Sequence, residues 1–503
     1  MEALPASIYS TADVRAIDAR AIAGTGAGQG AGIAGYTLMT RAGESALANL
    51  RAQWPIHRRL LVLCGRGNNG GDGYVVARFA RASGLDVVVS APAGVPDGGD
   101  ALRAYQDWRA AGGTLADWSS DLLANADVVV DALLGTGLDR DVDARLGEVI
   151  DAVNAARLPI VALDVPSGLD ADTGLPRGRA IRATLTVTFV APKTGFFLGV
   201  GPEHVGRVVC DDLDIPADAY AGATPRLRRV TEKELRAALP RRARTAHKGS
   251  NGRVLVVGGG AGMPGAVRLA GEAALRSGAG LVTVATWPGH AATIAVGRPE
   301  LICVGVESAG ALTPLLDAAD VVAIGPGLGR DTWARSLVAA AFASNAPLVV
   351  DADALNLLAE SPGRRERWCL TPHPGEAARL LGIGADAVQA DRLGAVGRIA
   401  ARYGGVAVLK GAGTLVAADG AVPWVCERGN PGMAAAGMGD VLTGVIAAIA
   451  AQQPAPETAL ELAAAVGVLV HASAGDLAAR GGERGILASD VTAHLPACVN
   501  PAT

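Results

Sequence analysis

Ten short, mostly apolar runs recur along this 503-residue chain, at 60–64, 86–90, 127–131, 160–164 and 185–190, and again at 254–257, 281–285, 321–324, 348–351 and 406–409. Stretches with helical periodicity separate them. A strand that is apolar on both faces is buried on both faces, as in a parallel sheet covered by helices above and below. The expected fold is therefore α/β twice over, with an N-terminal Rossmann-like three-layer domain at 1–218 and a second α/β domain at 225–503. The length agrees, because a single core rarely grows beyond about 300 residues. Segment 225–248 is basic and Ala-rich, shows no clear strand, and reads as the linker and first helix of the second domain.

Half the residues are hydrophobic, 67 are glycine and 4% are aromatic, which suits helices packed closely on sheets. A net charge of -4 provides no basic field for nucleic acid or an acidic membrane, so a small-molecule partner is expected. The six cysteines, at 64, 210, 303, 369, 426 and 498, form no CxxC pair. Neither a zinc site nor a disulfide framework is predicted, and a reducing cytoplasm fits. No secretory signal is visible, and the apolar run after Asp440 is too short to cross a bilayer comfortably.

The chemistry gathers where strands end, because ligands in open α/β sheets bind beyond the carboxyl ends of strands. In the second half, Gly429-Asn430-Pro431-Gly432 leads into Ala436-Gly437-Met438-Gly439-Asp440 and then an apolar helix. Glycines there leave backbone N–H groups open to an anion at the helix's positive end, and Asp440 sits beside them as a candidate base. Upstream, Lys410-Gly411-Ala412-Gly413-Thr414 closes a buried strand with a lysine and small residues, which suits a nucleotide phosphate. The run Gly258-Gly259-Gly260-Ala261-Gly262 matches a dinucleotide fingerprint only loosely and reads as a tight turn, since no acidic residue ends the next strand.

In the first half, Gly65-Arg66-Gly67-Asn68-Asn69-Gly70-Gly71-Asp72 joins a strand to its helix as a polar, phosphate-capable cradle. Asp131 and Ser167 stand at two further strand ends, and with Asn69 they offer oxygen ligands to one hard cation, whether potassium, magnesium or sodium. Asp164 and Lys193 offer an acid/base pair, although Lys193 alone reads equally as a solvated surface residue.

Together these segments resemble the bifunctional NAD(P)H-hydrate repair enzymes, over nearly the whole chain. The resemblance rests on GNNGGDGYVVAR, DALLGTG, LDVPSGLD and the PK-containing strand end in the first half. In the second it rests on HKG, GMPGAVRLAGEAALRSGAGLV, IGPGLG, VDADAL, LTPHPGE, KGAGT and GNPGMAAAGMGD. It implies an epimerase domain followed by a ribokinase-like domain that dehydrates NADHX or NADPHX at the expense of ADP, giving AMP and phosphate. It implies that Asn68, Asn69, Gly70, Gly71 and Asp72, then Gly135, Thr136, Gly137, Leu138, Asp139, Arg140 and Asp141, and Asp164 contact the epimerase substrate, with Asp164 and Lys193 moving protons. Asn69, Asp131 and Ser167 would hold potassium. In the dehydratase, Ala266, Gly327, His373 and Asp440 would line the substrate, with Asp440 as base. Lys410, Gly411, Ala412, Gly413, Thr414 and Gly439 would hold ADP, and Glu376 would orient a magnesium-bound water by analogy with sugar kinases. His373 alone reads as a helix-capping or packed histidine. A cytoplasmic homo-oligomer without nucleic-acid or membrane partners is expected.

Two departures from the family pattern stand out. Residues 24–32 form a Gly-rich insertion, and Gly259-Gly260 replaces an expected Gly-Ser pair. The same motifs leave a small-molecule kinase, or a non-catalytic first domain, as rival readings.

Overall fold

The computed structural model describes residues 4–24, 32–456 and 459–500. Most of the Gly-rich insertion therefore lies outside the described residues. The chain divides into two compact units, Met1–Leu227 and Arg228–Thr503.

The first unit is built on six parallel strands. Across the sheet they run Asp86–Ser90, Arg59–Cys64, Val128–Ala132, Ile160–Leu163, Leu185–Phe189 and Arg207–Asp211. The last of these was not predicted. Its residues are only half-buried, so it lacks the continuous apolar signal of the others. Alternate residues of Arg59–Cys64 serve opposite faces, as the period of two requires: Leu60, Val62 and Cys64 join one apolar cluster, while Leu61 and Leu63 join the other. Because Arg59–Cys64 lies between Asp86–Ser90 and Val128–Ala132, the chain leaves Arg59–Cys64 and Val128–Ala132 in opposite directions. That switch point opens a crevice at their carboxyl ends.

In the second unit the sheet runs Leu227–Arg229, Trp424–Cys426, Thr414–Ala418, Val406–Leu409, Trp368–Leu370, Leu348–Val350, Val321–Ile324, Arg253–Val257, Leu281–Thr286 and Ile302–Gly305. All pairings are parallel except those of Thr414–Ala418, which is antiparallel to both neighbours. The expected strandless segment at 225–248 instead opens with a short strand and the capped helix Glu232–Ala238. Three residues are too few to show a period. Five neighbouring strands, from Val406–Leu409 to Arg253–Val257, end in the loops that carry the motifs.

The helix Met438–Ala451 is continuous through Thr443 and Gly444. A Cβ at Gly444 would lie 2.0 Å from the Ala270 carbonyl oxygen, so glycine lets this helix press directly onto Pro264–Arg276. The helix Leu460–Ala478 packs beside it and is apolar enough to pass for a membrane span, but it is largely buried in the unit's core.

Candidate functional sites in the two units

The crevice of the first unit is a cleft of about 810 Å³. Asn68, Asn69, Asp72, the whole of 135–141 and Asp164 line it. Gly70 and Gly71 are buried instead in the packing of the helix Asn68–Ala82: a Cβ at Gly70 would lie 2.0 Å from the Gly65 carbonyl oxygen, and one at Gly71 would strike Met39. Part of this glycine signature therefore serves close packing of the helix on the turn at Gly65 and on the helix Gly35–Gln53.

Asp164 leaves the strand Ile160–Leu163 in a left-handed conformation, φ 60°. Lys193 is fully buried and has no free proton to offer. Its Nζ donates to Asp164 Oδ1 at 2.5 Å, Thr188 Oγ1 at 2.7 Å and the Phe189 carbonyl at 2.8 Å. Of the pair expected to move protons, only Asp164 reaches the cleft. Two more carboxyls join it there. Burial, reinforced by the charge of Asp164, raises the pKa of Asp18, against the pull of Lys193. Burial, with Asp164 and Asp18, drives that of Asp72 well above the carboxylate range. Asp18 comes from the helix Thr11–Ala23, far upstream of any motif, so no local pattern marked it.

The three proposed cation ligands are brought together around Leu134. Asn69 Nδ2 donates to the Leu134 carbonyl at 2.9 Å, and Ser167 Oγ accepts from the Leu134 N–H at 2.8 Å. Ser167 Oγ also donates to Asp131 Oδ1 at 2.5 Å, and its N–H donates to Oδ2 at 2.8 Å. Asp131 has no exposed surface and, among the described residues, no cationic partner. Burial pushes its pKa up to about 6 despite the donors from Ser167 and Leu133. Asn69 Oδ1 is buried without a hydrogen-bond partner. A buried anion and an orphaned amide oxygen are what a bound monovalent cation would satisfy.

In the second unit the centre is an ion pair. Lys410 Nζ donates to Asp351 Oδ1 at 2.7 Å and lies 3.7 Å from Glu376 Oε2, while Thr443 Oγ1 donates to Asp351 Oδ2 at 2.8 Å. Asp351 thereby ties the end of Leu348–Val350 to the helix that carries Asp440. Burial opposes charge on both members, yet each holds the other ionised. Lys410 is raised by Asp351, Glu376 and Asp440, and Asp351 is lowered by Lys410, Thr443 and Thr371. Neither Asp351 nor Thr443 was predicted as a site residue. Asp351 could have been found in VDADAL, but Thr443 sits inside an apolar helix and gives no signal.

Gly437, in the left-handed region at φ 86°, ends the loop, and Gly439 and Asp440 lie in the helix's first turn, where backbone N–H groups have no intrahelical acceptor. A Cβ at Gly439 would sit 3.2 Å from Lys410 Nζ, so the two proposed ADP contacts are neighbours. Burial and the nearby Asp351, only partly offset by Lys410, push the pKa of Asp440 up to about 7. Gly327, at φ 54°, approaches Ala266 so closely that a Cβ there would lie 3.0 Å from the alanine's. Asp353 holds the same turn by accepting from the Gly329 N–H at 2.8 Å.

His373 does cap a helix: its Nδ1 accepts from the N–H groups of Gly375 at 3.0 Å and Glu376 at 3.4 Å, leaving a half-exposed ring. Burial and the charge of Lys410 lower its pKa, so it is neutral at neutral pH. The tight turn expected lies at 260–263, where the Met263 N–H donates to the Gly260 carbonyl at 2.9 Å. Residues 258–260 bond instead to neighbouring segments, the Gly259 N–H to the Pro326 carbonyl at 3.0 Å and the Gly260 N–H to that of Gly327 at 2.8 Å. Gly259, at φ 61°, accepts from Thr286 Oγ1 at 2.9 Å. A Cβ at Gly260 would lie 2.6 Å from the Leu328 carbonyl oxygen, so a serine there would require this turn to shift.

Known proteins share both halves. A family profile described as YjeF-related protein N-terminus matches residues 35–195, and one described as NAD(P)H-hydrate dehydratase matches 254–497. The chain is 48% identical over 473 residues to the bifunctional NAD(P)H-hydrate repair enzyme Nnr of Coxiella burnetii, covering 93% of this chain and 96% of that protein. The chain belongs to the bifunctional NAD(P)H-hydrate repair enzyme family. The Escherichia coli K12 member is 45% identical, covering 93% of this chain and 90% of that protein. Among solved structures, a ribokinase-like superfamily protein from Enterococcus faecalis V583 aligns with 31% identity and a TM-score of 0.50, covering 55% of this chain and 95% of its own. As a NAD(P)H-hydrate repair enzyme, the protein joins an epimerase region to an ADP-dependent, ribokinase-like dehydratase region. The rival kinase and binding-module readings fall away.

Proposed function

We propose that residues 1–218 interconvert the R and S forms of NADHX and NADPHX in the 810 Å³ cleft, and that residues 225–503 dehydrate the S form around Asp440. The observation that carries the dehydratase half is the meeting of Asp440, Gly439 and the Lys410–Asp351 pair at the start of one helix. Asp440, with a pKa near the working pH, takes the proton of the ring hydroxyl, whose oxygen attacks the β-phosphorus of ADP as AMP departs. The ring nitrogen's lone pair then expels phosphate, and loss of a proton from the adjacent ring carbon restores NAD(P)H. Lys410, Gly411, Ala412, Gly413 and Thr414 with Gly439 hold ADP. Ala266, Gly327 and His373 shape the wall against the hydrated nicotinamide, the first two by being small.

In the cleft, a carboxylic acid protonates the departing hydroxyl while the ring nitrogen forms a C=N bond. A carboxylate then takes a proton from water adding to the opposite face. Asp164 is one of these groups, with Lys193 fixing its position. Asn69, Asp131 and Ser167 would hold potassium, whose charge would neutralise Asp131. For magnesium, Glu376 would orient a bound water, in keeping with an ion that keeps its waters and binds through few carboxylates plus phosphates. Magnesium would supply charge neutralisation on the phosphates. Incubating mixed R/S NADHX with ADP, magnesium and potassium tests the whole reading. Complete recovery of NADH by wild type and none by Asp440→Asn is expected. Recovery that stops near half would remove the epimerase assignment, and full recovery by the variant would remove the base.

A further inference from the structure

Arg392 begins the helix Arg392–Tyr403 and reaches under the turn that follows Val406–Leu409. Its Nη2 donates towards three carbonyl oxygens, those of Leu409 and Lys410 at 3.3 Å and Gly413 at 3.4 Å, while Nη1 donates to Gln389 Oε1 at 2.8 Å. The turn closes tightly on it, since a Cβ at Gly411 would lie 3.1 Å from Nη1. Arg392 is 5% exposed, and its Nε is buried with no hydrogen-bond partner.

Buried cations are ordinarily matched by anions, because an unmatched one bears its desolvation cost alone. Lys410, on the same turn, is matched by Asp351 and Glu376. Arg392 is not: each acceptor it meets is neutral, and adjacent Asp391 is turned to Arg398 at 3.0 Å and to the Gly394 N–H at 2.9 Å. Among the described residues no carboxylate pairs with it. Burial pushes its pKa down to about 10, which still leaves it charged at neutral pH. One turn thus has a neutralised ammonium on one side and an unneutralised guanidinium behind it. An arriving anion would be drawn to the second.

We propose that Arg392 is a positioning residue of the nucleotide half-site, whose contacts with three carbonyls set the shape of turn 410–413 and whose unmatched charge is balanced by the phosphates of a nucleoside diphosphate. This rests on the reading that the turn holds ADP. A carboxylate partner would have stabilised the empty protein but would have repelled the phosphates. Leaving the charge bare links its neutralisation to nucleotide binding.

Calorimetric titration of the full chain with ADP, AMP and adenosine tests this in Arg392→Met, Arg392→Lys and Thr414→Val. Arg392→Met is expected to lose about tenfold more affinity for ADP than for adenosine, with AMP between, because the lost term grows with phosphate charge. Arg392→Lys keeps the charge and loses the planar fork, so it should weaken all three ligands by a similar factor. If Arg392→Met fails to fold, Arg392→Gln supplies a neutral side chain that still bonds to carbonyls. Equal losses for the three ligands in the neutral variant would overturn the charge role, and unchanged affinities would overturn the whole proposal. Where Thr414→Val weakens ADP but no Arg392 variant does, Arg392 alone is at fault; where none of the variants matters, the assignment of the turn to ADP has failed as well.

Discussion

Lys193 Nζ lies 2.5 Å from Asp164 Oδ1 and gives its other two hydrogens to Thr188 and the Phe189 carbonyl, so the lysine fixes the carboxylate and does not itself line the cleft. Removing one member of a buried ion pair leaves the other uncompensated, at a cost of about 3 kcal/mol. Lys193→Met should therefore lower the stability of the first unit by about that amount and slow R/S exchange about a hundredfold through loss of placement. Dehydration of pure S-NADHX should be unaffected. A Lys193→Met protein that exchanges epimers at the wild-type rate would show that Asp164 needs no anchor.

Asp18 shares the cleft with Asp164, and each face of the ring requires a proton donor or acceptor. Asp18 is protonated more readily than an ordinary aspartate, chiefly because it is buried, while Asp164 is held in an ion pair. Asp18→Asn is expected to slow epimerisation about a hundredfold while leaving substrate binding nearly intact. Exchange measured by chromatography of the two epimers checks this. If Asp72→Asn produces the loss and Asp18→Asn does not, the second proton-handling group is Asp72.

How much of this was legible in the sequence depended on whether a signal was local. Most of the ten apolar runs mark strands buried on both faces, where the apolar stretch is little interrupted, while the edge strand Asp86–Ser90 stood out through its three consecutive valines. Arg207–Asp211 and Ile302–Gly305 escaped because they lie at sheet edges and are at most half-buried. Leu227–Arg229, Trp368–Leu370 and Trp424–Cys426 are too short to show a period, and Thr414–Ala418 overlaps the phosphate-turn motif at Thr414. Asp440 stood out because glycines precede it and an apolar helix follows. Asp18, Thr443 and Arg392 gave no such sign. Each lies within an ordinary helix, and only tertiary packing brings it to a strand end. Lys193 illustrates the reverse case, in which a lysine read equally well as a surface residue is fully buried.

Asp131 is expected to make the first unit's stability depend on pH, and on potassium if the proposed site holds it. Its pKa in the folded protein is about 6, above the ordinary 3.8, so between these values the folded state binds the proton more tightly than the unfolded chain does. Stability from this group is fully present below about pH 4 and is lost as pH rises through about 6. The loss amounts to about 3 kcal/mol at neutral pH. A cation held by Asn69, Asp131 and Ser167 would offset that loss only where Asp131 is ionised. Potassium chloride should therefore raise the melting temperature more at pH 7.5 than at pH 5, relative to choline chloride. Asp131→Asn should abolish the difference, and an equal potassium effect at both pH values would separate the cation from Asp131.

Asp440, with a pKa of about 7, is expected to set the pH dependence of dehydration if it is the base. As a base it works only when deprotonated, so the rate of dehydration of S-NADHX should rise with pH and level off above about 7.5. Lys410 is the one charge lowering that pKa, against burial, Asp351 and Asp353. Replacing it with methionine should move the rising limb to higher pH as well as weaken ADP binding. Asp440→Asn should lower the rate about a thousandfold on the plateau and remove the rising limb, while ADP still binds. The decisive comparison is the position of the rising limb in the two proteins. If Lys410→Met leaves it where wild type has it, the titrating group is not Asp440, and the base must be sought among the other carboxylates around Lys410.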